Sequence, residues 1–434
     1  MAIKFIKKAE KTSSSDEVNT RKTVSEMLKK IEGGGEEVAR SYGKSLDNYS
    51  GEIIVSEEVI AHAAEQVPQQ LKDDLNFAHD RVRDFAAKQK ESITEFEIEL
   101  SPGLWAGQKL IPVSTAGCYV PGGRYAHVAS AIMSITTAKV AGVEKVIACS
   151  TPHKKYDGIH PAILYTMNLC GADNILAIGG VQGIASMAFG LFTGSKADIL
   201  VGPGNKYVAE AKRALYGRAG IDLFAGPTEI LIIADETADS KIVAVDLVGQ
   251  AEHGPDSPVW LVTTSSELAK KVEGQMQALI NLLPELQRNA ADAAWRDYGE
   301  IILCENDEEA AQISDAYGPE HLELHTRNLD WYVSRLRNYG SLFIGEQTTV
   351  AFGDKCSGTN HILPTKRASH YTGGLSVHKF IKIVTTQRMT EGANKEVAAI
   401  TARVSRLEGM EAHARTGDVR LLKYFPNETF RLDP

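Results

Sequence analysis

The sequence predicts an α/β protein with two Rossmann-like parallel-sheet α/β domains and helical segments at both termini. Two series of short apolar runs alternate with helical stretches, one between residues 111 and 231 and one after residue 231. Alternation at roughly 25-residue spacing is typical of right-handed βαβ units, which build parallel sheets. The first ~110 residues and the segment after residue 373 have mainly helical patterns.

The first series combines strand-like runs with glycine-containing loops. The runs are VIAC at 146–149, ILAI at 175–178 and DILV at 198–201, and the loops are YVPGG at 119–123, GGVQG at 179–183 and GPGN at 202–205. Such loops bring backbone N–H groups close to an anionic ligand at a helix start, so a dinucleotide is a candidate. The strict G-x-G-x-x-G fingerprint is absent, and tight βα turns without a ligand explain the loops about as well.

The second series contains four strand-like runs with helical segments between them. They are LII at 231–233, VWLV at 259–262, IILC at 301–304 and SLFI at 341–344. Two α/β halves therefore follow from the pattern.

Composition and charge exclude several classes of protein. The chain has 434 residues, 43% of them apolar, a net charge of -9 and five cysteines without C-x-x-C spacing. A negative net charge disfavours nucleic acid and anionic membranes as partners. An odd number of unpatterned cysteines disfavours a disulfide framework and a zinc finger. The amino terminus lacks the apolar core of a signal peptide, so we expect a cytoplasmic protein.

Histidines are concentrated in the carboxyl-terminal half of the chain. Seven of the twelve lie between residues 253 and 413. Gln250 and His253 are three residues apart near a predicted helix end and could share a metal ion, although an ordinary polar helix end is an equally good explanation. His413 lies in a polar helical stretch, for which a solvated face is the simpler interpretation.

Two further polar segments could carry chemistry. The stretch GDKCSGTNH at 353–361 combines Asp354, Lys355 and His361 between glycines, a composition typical of ligand-binding loops. Glu320 and His321 follow a Gly-Pro pair, so these two proton acceptors can diverge around a substrate at the start of a strand. Neither a G-x-S-x-G, an H-E-x-x-H nor a Walker motif is present, which argues against hydrolases and kinases.

Taken together, these motifs resemble the histidinol dehydrogenase family over residues 20 to 425. The residues that carry the resemblance are YVPGG at 119–123, GPGN at 202–205, AGPTE at 225–229, QAEHGP at 250–255, GPEH at 318–321, GTNH at 358–361 and His413. The resemblance implies an NAD-dependent enzyme that oxidises a primary alcohol through an aldehyde to a carboxylate.

The resemblance also implies the cofactors and the residues that bind them. One Zn²⁺ per subunit would be bound by Gln250, His253, Asp354 and His413, with His413 supplied by the other subunit of an intertwined homodimer. NAD would contact Tyr119, Gln182 and Asn205.

By the same resemblance, His321 is the general base and Glu320 activates water. The small-molecule substrate would contact residues Thr228, Gln250, His253, His321, Asp354, Lys355, His361, Glu408, His413 and Arg124.

The family resemblance also suggests a domain organisation. We expect a helical arm at 1–35, a discontinuous first α/β domain at 36–110 and 232–372, and an NAD-binding second domain at 111–231. A helical tail at 373–434 would contribute to the partner's active site.

Several departures from the family pattern concern the substrate. Lys355 replaces a usual tyrosine, Thr228 a usual serine, Arg124 a small residue, and His378 and Lys379 stand where acidic residues are frequent. A fixed cation beside the site disfavours the amine and imidazole of histidinol by about 1 kcal/mol or more at short range. These features resemble the sulfopropanediol dehydrogenase branch and predict an anionic diol such as dihydroxypropanesulfonate, with histidinol as the alternative. A zinc-binding paralogue without activity is a third possibility, which the presence of Glu320 and His321 argues against.

Overall fold

The structure is a computed structural model that describes residues 4–11, 17–123, 125–224 and 226–433. The strands are β1 Lys4–Lys7, β2 Phe96–Ser101, β3 Leu104–Pro112, β4 Thr115–Val120, β5 Lys145–Ser150, β6 Asn174–Ala177, β7 Ile199–Val201, β8 Gly220–Ile221, β9 Ile230–Ala234, β10 Val259–Thr263, β11 Gly299–Leu303, β12 His321–His325, β13 Ser341–Ile344 and β14 Ile381–Met389. The helices are α1 Glu17–Tyr42, α2 Glu57–Glu65, α3 Gln69–Glu91, α4 Val128–Ala131, α5 Thr137–Ala141, α6 Pro161–Leu169, α7 Gly180–Phe189, α8 Lys206–Leu215, α9 Ser240–Ala251, α10 Ser266–Asn281, α11 Glu285–Tyr298, α12 Asp307–Tyr317, α13 Leu329–Arg335, α14 Val350–Lys355, α15 Glu391–Leu407 and α16 Glu411–Tyr424.

The chain divides into two compact units. The first comprises Met1–Lys90 and Val113–Phe380, and the second comprises Glu91–Pro112 and Ile381–Pro434. The first unit contains two separate sheets dominated by parallel strands, which confirms the predicted α/β class. Within the described ranges no helix has the length and apolarity needed to cross a bilayer.

A five-stranded, wholly parallel sheet lies in the first unit. Its strand order is β6-β5-β4-β7-β8, so the order reverses between β4 and β7. Helices α1, α7 and α8 pack on it through an apolar cluster that includes Val24, Ile31, Ile184, Val208 and Leu215. In open α/β sheets, ligands bind beyond the carboxyl ends of the strands at such a reversal.

A six-stranded sheet forms the other half of the first unit. Its order is β1-β11-β10-β9-β12-β13, with β1 antiparallel at one edge and the other strands parallel. Apolar clusters cover both faces, because Ile230 and Ile232 pack with α9 and α10 while Leu231 and Ile233 pack with α12 and α13. The strand order reverses between β9 and β12.

The second unit differs in part from the mainly helical termini that the sequence suggested. Strands β2, β3 and β14 form an antiparallel sheet, and helices α15 and α16 pack on each other. The helical interpretation was therefore wrong for residues 96–112 and 381–389. The segment FEIELS at 96–101 alternates apolar and acidic residues, and this two-residue period is typical of a strand. The predicted amino-terminal arm likewise includes a strand, β1, beside its helix.

Candidate active site

His321 begins β12 and has one ring nitrogen free for proton transfer. Its Nδ1 lies 2.9 Å from the backbone carbonyl oxygen of Glu229. Because a carbonyl oxygen only accepts, this contact assigns the proton to Nδ1 and leaves the lone pair on Nε2. That Nε2 is buried without a hydrogen-bond partner among the described residues and lies 3.8 Å from Asp354 Oδ1. The geometry suits a general base.

Glu320 is buried next to His321, where one carboxylate oxygen is anchored. Its Oε2 accepts hydrogen bonds from Thr228 Oγ1 at 2.6 Å and from the Glu229 amide at 2.9 Å. Burial raises the pKa of Glu320, and the His321 ring 3.4 Å away opposes that rise. Gly318 adopts a φ of 56° in the preceding turn, where a Cβ would meet Ser369 and His370, so glycine is required there. The two proton acceptors thus lie side by side, with Glu320 Oε2 3.4 Å from His321 Nδ1, whereas the sequence led us to expect that they could diverge around a substrate.

Gln250 and His253 lie at the end of α9, as predicted. Gln250 is buried in the last turn, and its Nε2 contacts Thr228 Oγ1 at 2.5 Å and His321 Nδ1 at 3.4 Å. The amide carbonyl oxygen is therefore the atom that can ligate a metal. His253 follows the helix end, and burial lowers its pKa, which favours the neutral imidazole that metals bind.

Asp354 and Lys355 form the last turn of α14 rather than a loop. Burial acts to raise the pKa of Asp354, but His361 and the other nearby positive groups outweigh it and lower the pKa. His361 contacts the Asp354 carbonyl oxygen at 3.1 Å and Ser130 Oγ at 3.0 Å, which links α14 to α4. Lys355 Nζ lies 3.9 Å from Asp354 Oδ2, with 63% of the side chain exposed.

The donors of the first unit fit the zinc ion that the sequence led us to expect. Gln250, His253 and Asp354 supply a mixed oxygen and nitrogen set, and Asp354 interacts electrostatically with His253 and His321. The remaining expected ligand, His413, is exposed in α16 of the second unit, and Glu408 is exposed at the end of α15. Arg124 lies outside the described residues.

Tyr119 and Gln182 meet at the amino terminus of α7. The Gly180 amide donates to Tyr119 Oη at 3.2 Å, and Gln182 Nε2 donates to Asp47 Oδ2 at 3.0 Å. Burial raises the pKa of Tyr119 to about 12, so the phenol is neutral at physiological pH. Gln182 Oε1 is buried without a hydrogen-bond partner in the described part of the chain. A polar atom is thus available near a helix start that favours anions.

Asn205 follows the carboxyl end of β7 and caps α8. Its Oδ1 accepts from the amides of Tyr207 and Val208 at 3.0 and 3.2 Å. The buried ammonium of Lys212 supports the preceding loop by donating to the Gly202 carbonyl oxygen at 2.8 Å and to Asp222 at 2.6 Å. Gly202 adopts a φ of 116°, and a Cβ there would collide with the Tyr119 carbonyl oxygen.

Three residues near these sites were not singled out from the sequence. Burial, followed by His361, His253 and Lys355, lowers the pKa of His127 to about 4. Asp47 accepts from Gln182 and from the Gly179 amide, and Glu229 lies against Glu320 and His321. His127 and Asp47 belong to no motif, whereas Glu229 ends the AGPTE segment and could have been noticed there.

Comparison with known proteins gives a consistent result over the whole chain. A family model described as histidinol dehydrogenase matches residues 10–421. A histidinol dehydrogenase homolog from Pelagibacter ubique is 63% identical, over 98% of this chain and 99% of the relative. A sulfopropanediol 3-dehydrogenase from Ruegeria pomeroyi is 59% identical, over 100% of this chain and 99% of the relative. The crystal structure of histidinol dehydrogenase from Elizabethkingia anophelis is 32% identical, with a TM-score of 0.89 over 96% of this chain and 94% of that chain.

Proposed function

We propose that this chain, which belongs to the histidinol dehydrogenase family and is therefore an NAD-dependent oxidoreductase acting on CH–OH groups, oxidises an anionic diol. The substrate we infer is 2,3-dihydroxypropane-1-sulfonate, and the product is 3-sulfolactate, reached through an aldehyde. The observation that carries this proposal is the position of Lys355, whose ammonium lies 3.9 Å from the carboxylate of Asp354.

The cation of Lys355 acts on several groups around the expected zinc site. Burial is the largest cause of the lowered pKa values of His127, His253 and His361, and the charge of Lys355 lowers them further. A positive field of this kind disfavours a substrate amine and favours a sulfonate. The 59% identity to a relative named sulfopropanediol 3-dehydrogenase, against 32% to a solved histidinol dehydrogenase, supports the same substrate class.

Proton transfer in the proposed reaction belongs to two side chains. His321 Nε2 takes the proton of the substrate alcohol, since Nδ1 is held by the Glu229 carbonyl oxygen. Glu320 then takes a proton from the water that attacks the aldehyde, with Thr228 holding its Oε2. Both carbon oxidations rely on His321, because the hydrate formed in the second step is again an alcohol.

We assign the cofactors to the residues whose atoms fit them. Gln250, His253, Asp354 and His413 of the partner subunit would hold zinc, and Tyr119, Gln182 and Asn205 would contact NAD. When bound, zinc orients and polarises the substrate oxygen and NAD accepts the hydride. Asp47 fixes the Gln182 amide and thereby orients it toward the dinucleotide.

The homodimer in this proposal has support from the surface of the second unit. Phe96, Ile98 and Leu100 share one face of β2, and all three are exposed. Ile400, Val404 and Leu407 are likewise exposed along one stripe of α15. Contiguous exposed apolar residues mark protein interfaces, and a second copy of the chain is the partner we expect here.

The test is an NAD-reduction assay with purified, zinc-loaded protein. Dihydroxypropanesulfonate should give much higher kcat/KM than histidinol. Lys355→Tyr should raise KM for the sulfonate roughly tenfold or more, because an interaction with a charged group contributes about 1.5–3 kcal/mol. Zinc content and KM for NAD should not change.

Lys271→Tyr serves as the matched control, because Lys271 is an exposed lysine on α10 that pairs with Glu267. The substrate assignment would be contradicted if the wild type had a higher kcat/KM for histidinol than for dihydroxypropanesulfonate. It would also be contradicted if Lys355→Tyr left the kinetics with the sulfonate unchanged.

A further inference from the structure

A second group of metal-ligating side chains lies between α9 and β12, away from the proposed active site. Within the described ranges, Asp246, Glu323 and His325 form a group of His, Cys, Asp and Glu side chains whose donor atoms all lie within 4.8 Å of one another. His321, Glu323 and His325 alternate along β12 and therefore share one face. Asp246 precedes Gln250 by one helical turn on α9. Polar side chains of α9 and β12 therefore contact each other at two places. Gln250 contacts His321, and Asp246 lies near Glu323 and His325.

Each carboxylate of this cluster has one oxygen anchored and one directed at the histidine. Thr349 Oγ1 donates to Asp246 Oδ1 at 3.0 Å, and the Val350 amide donates to Glu323 Oε1 at 2.8 Å. The other oxygens, Glu323 Oε2 and Asp246 Oδ2, lie 3.3 and 4.0 Å from His325 Nε2. Asp246 Oδ2 is buried and has no hydrogen-bond partner within the described ranges.

The cluster concentrates negative charge where water cannot screen it. The side chains of Glu323 and His325 are fully buried, and only 13% of the Asp246 side chain is exposed. The ion pairs found for both carboxylates, within the described ranges, are with His325. Burial and then the charge of Glu323 raise the pKa of Asp246 to about 7. Buried carboxylates need a proton or a cation to compensate them.

The three donor atoms are close enough together to share one metal ion, and one pair of them, His325 Nε2 and Glu323 Oε2, is also within hydrogen-bond distance at 3.3 Å. Ligands of a tetrahedral zinc ion lie about 3.4 Å apart, given bonds of about 2.0–2.2 Å. The separation of 3.3 Å between Glu323 and His325 already matches this spacing, and the separation of 4.0 Å between Asp246 and His325 needs a contraction of about 0.6 Å. One imidazole and two carboxylates form a donor set that zinc and similar divalent transition ions accept.

We propose that Asp246, Glu323 and His325 bind a second divalent transition-metal ion, such as Zn²⁺, which ties α9 to the carboxyl end of β12. Along β12, His325 lies about 13 Å and Glu323 about 7 Å from the proposed base His321. The two metal sites are separate and share no ligand. The competing explanation is a proton shared between Asp246 and Glu323.

Metal content per chain tests this inference. Protein loaded with Zn²⁺ and freed of excess ion should contain two equivalents by elemental analysis. His325→Gln and Asp246→Asn should each retain one, His253→Ala should retain the other one, and the His253→Ala/His325→Gln pair should retain none. His62→Gln, which removes an exposed surface histidine, is the matched control and should keep two.

A second measurement keeps the test independent of activity and of folding. Co²⁺ loading should give two sets of visible absorption bands, and Asp246→Asn, which preserves side-chain size, should remove one set while near-ultraviolet circular dichroism stays native. If the wild type contains a single equivalent of zinc, and His325→Gln and Asp246→Asn both keep it, the inference is wrong. A proton shared between Asp246 and Glu323 would then explain the cluster. If the wild type and His253→Ala both contain two equivalents of zinc, the second site is still supported. That result would contradict the assignment of His253 as a zinc ligand in the proposed function.

Discussion

The two parallel sheets of the first unit place their candidate functional residues at opposite strand ends. In the five-stranded sheet, Tyr119 and Asn205 lie at or beyond the carboxyl ends of β4 and β7. In the six-stranded sheet, Glu320 and His321 stand at the amino end of β12. Backbone amides and helix starts collect at carboxyl ends, so ligands held by backbone bind there. Side chains that transfer protons need only a fixed backbone position, and either end of a buried strand provides one.

The two sheets also differ in the ionisable groups that they bury. At the loops of the five-stranded sheet, the acidic side chain of Asp47 contacts Gln182, which is expected to bind NAD, and the Gly179 amide of the same loop. Around β12 and α14, by contrast, Glu320, Glu229, Asp354 and His361 are buried together with His321. We therefore expect variants of the first sheet to change cofactor affinity and variants of the second to change turnover.

The largest expected effect comes from Glu320→Gln, which removes the acceptor for the proton of water but preserves side-chain size. Oxidation of supplied aldehyde should fall by about 10²–10⁴-fold, the usual contribution of a general base. Oxidation of the alcohol should continue slowly, and KM for NAD should stay unchanged. Stopped-flow measurement of NADH formation from alcohol and from aldehyde separates the two steps.

His321→Ala is the comparison variant, because it should impair both oxidations. Aldehyde oxidation by Glu320→Gln at the wild-type rate would contradict the role given to Glu320.

Much of the first unit could be predicted from the sequence because its strands are short apolar runs with clear ends. The run VWLV at 259–262 lies within β10, and the run ILAI at 175–178 overlaps β6. Strand β12 was harder to recognise, since His321, Glu323 and His325 make its buried face polar. The antiparallel sheet of the second unit was not predicted, although the alternation of apolar and acidic residues in β2 is typical of a strand, because the flanking segments have mainly helical patterns.

The site was predictable where its residues are neighbours in sequence and not where the fold assembles them. Glu320 and His321 are adjacent, and Gln250 and His253 share a helix end. After burial, the pKa of His127 is lowered by His361 and raised by Asp354, both more than 200 residues away in sequence, and no local pattern marks His127. Asp246 and Glu323 are also far apart in sequence, on α9 and β12, so the sequence alone does not predict that they lie together.

An intermediate effect should appear in the pH dependence of stability, through Glu229. Burial raises the pKa of this carboxyl from 4.5 to about 8, and its Oε2 has no hydrogen-bond partner within the described ranges. The native state therefore holds a proton that the unfolded state releases, so stability falls as pH rises from about 4.5 to about 8.

Glu229→Gln cannot ionise, so its melting temperature should decrease less than that of the wild type between pH 5 and 8. Differential scanning calorimetry at matched ionic strength measures this difference. Parallel curves for the two proteins would mean that Glu229 is ionised in the native state.

The smallest expected effect concerns Tyr119, in the five-stranded sheet. Tyr119→Phe keeps the buried ring and removes the hydroxyl that accepts from the Gly180 amide at 3.2 Å. One neutral hydrogen bond contributes about 0.5–1.5 kcal/mol, so KM for NAD should rise about two- to tenfold. The rate constant kcat should stay within about twofold, because no proton transfer involves this phenol, whose pKa of about 12 keeps it neutral. Asp47→Asn should behave in the same way, since it weakens the hydrogen bonds to Gln182 and to the Gly179 amide and touches no reacting group. A loss of kcat with unchanged KM for NAD in either variant would contradict the assignment of cofactor binding to the five-stranded sheet and of turnover to the six-stranded sheet. The loops of the five-stranded sheet would then act on the reacting groups as well as on the cofactor.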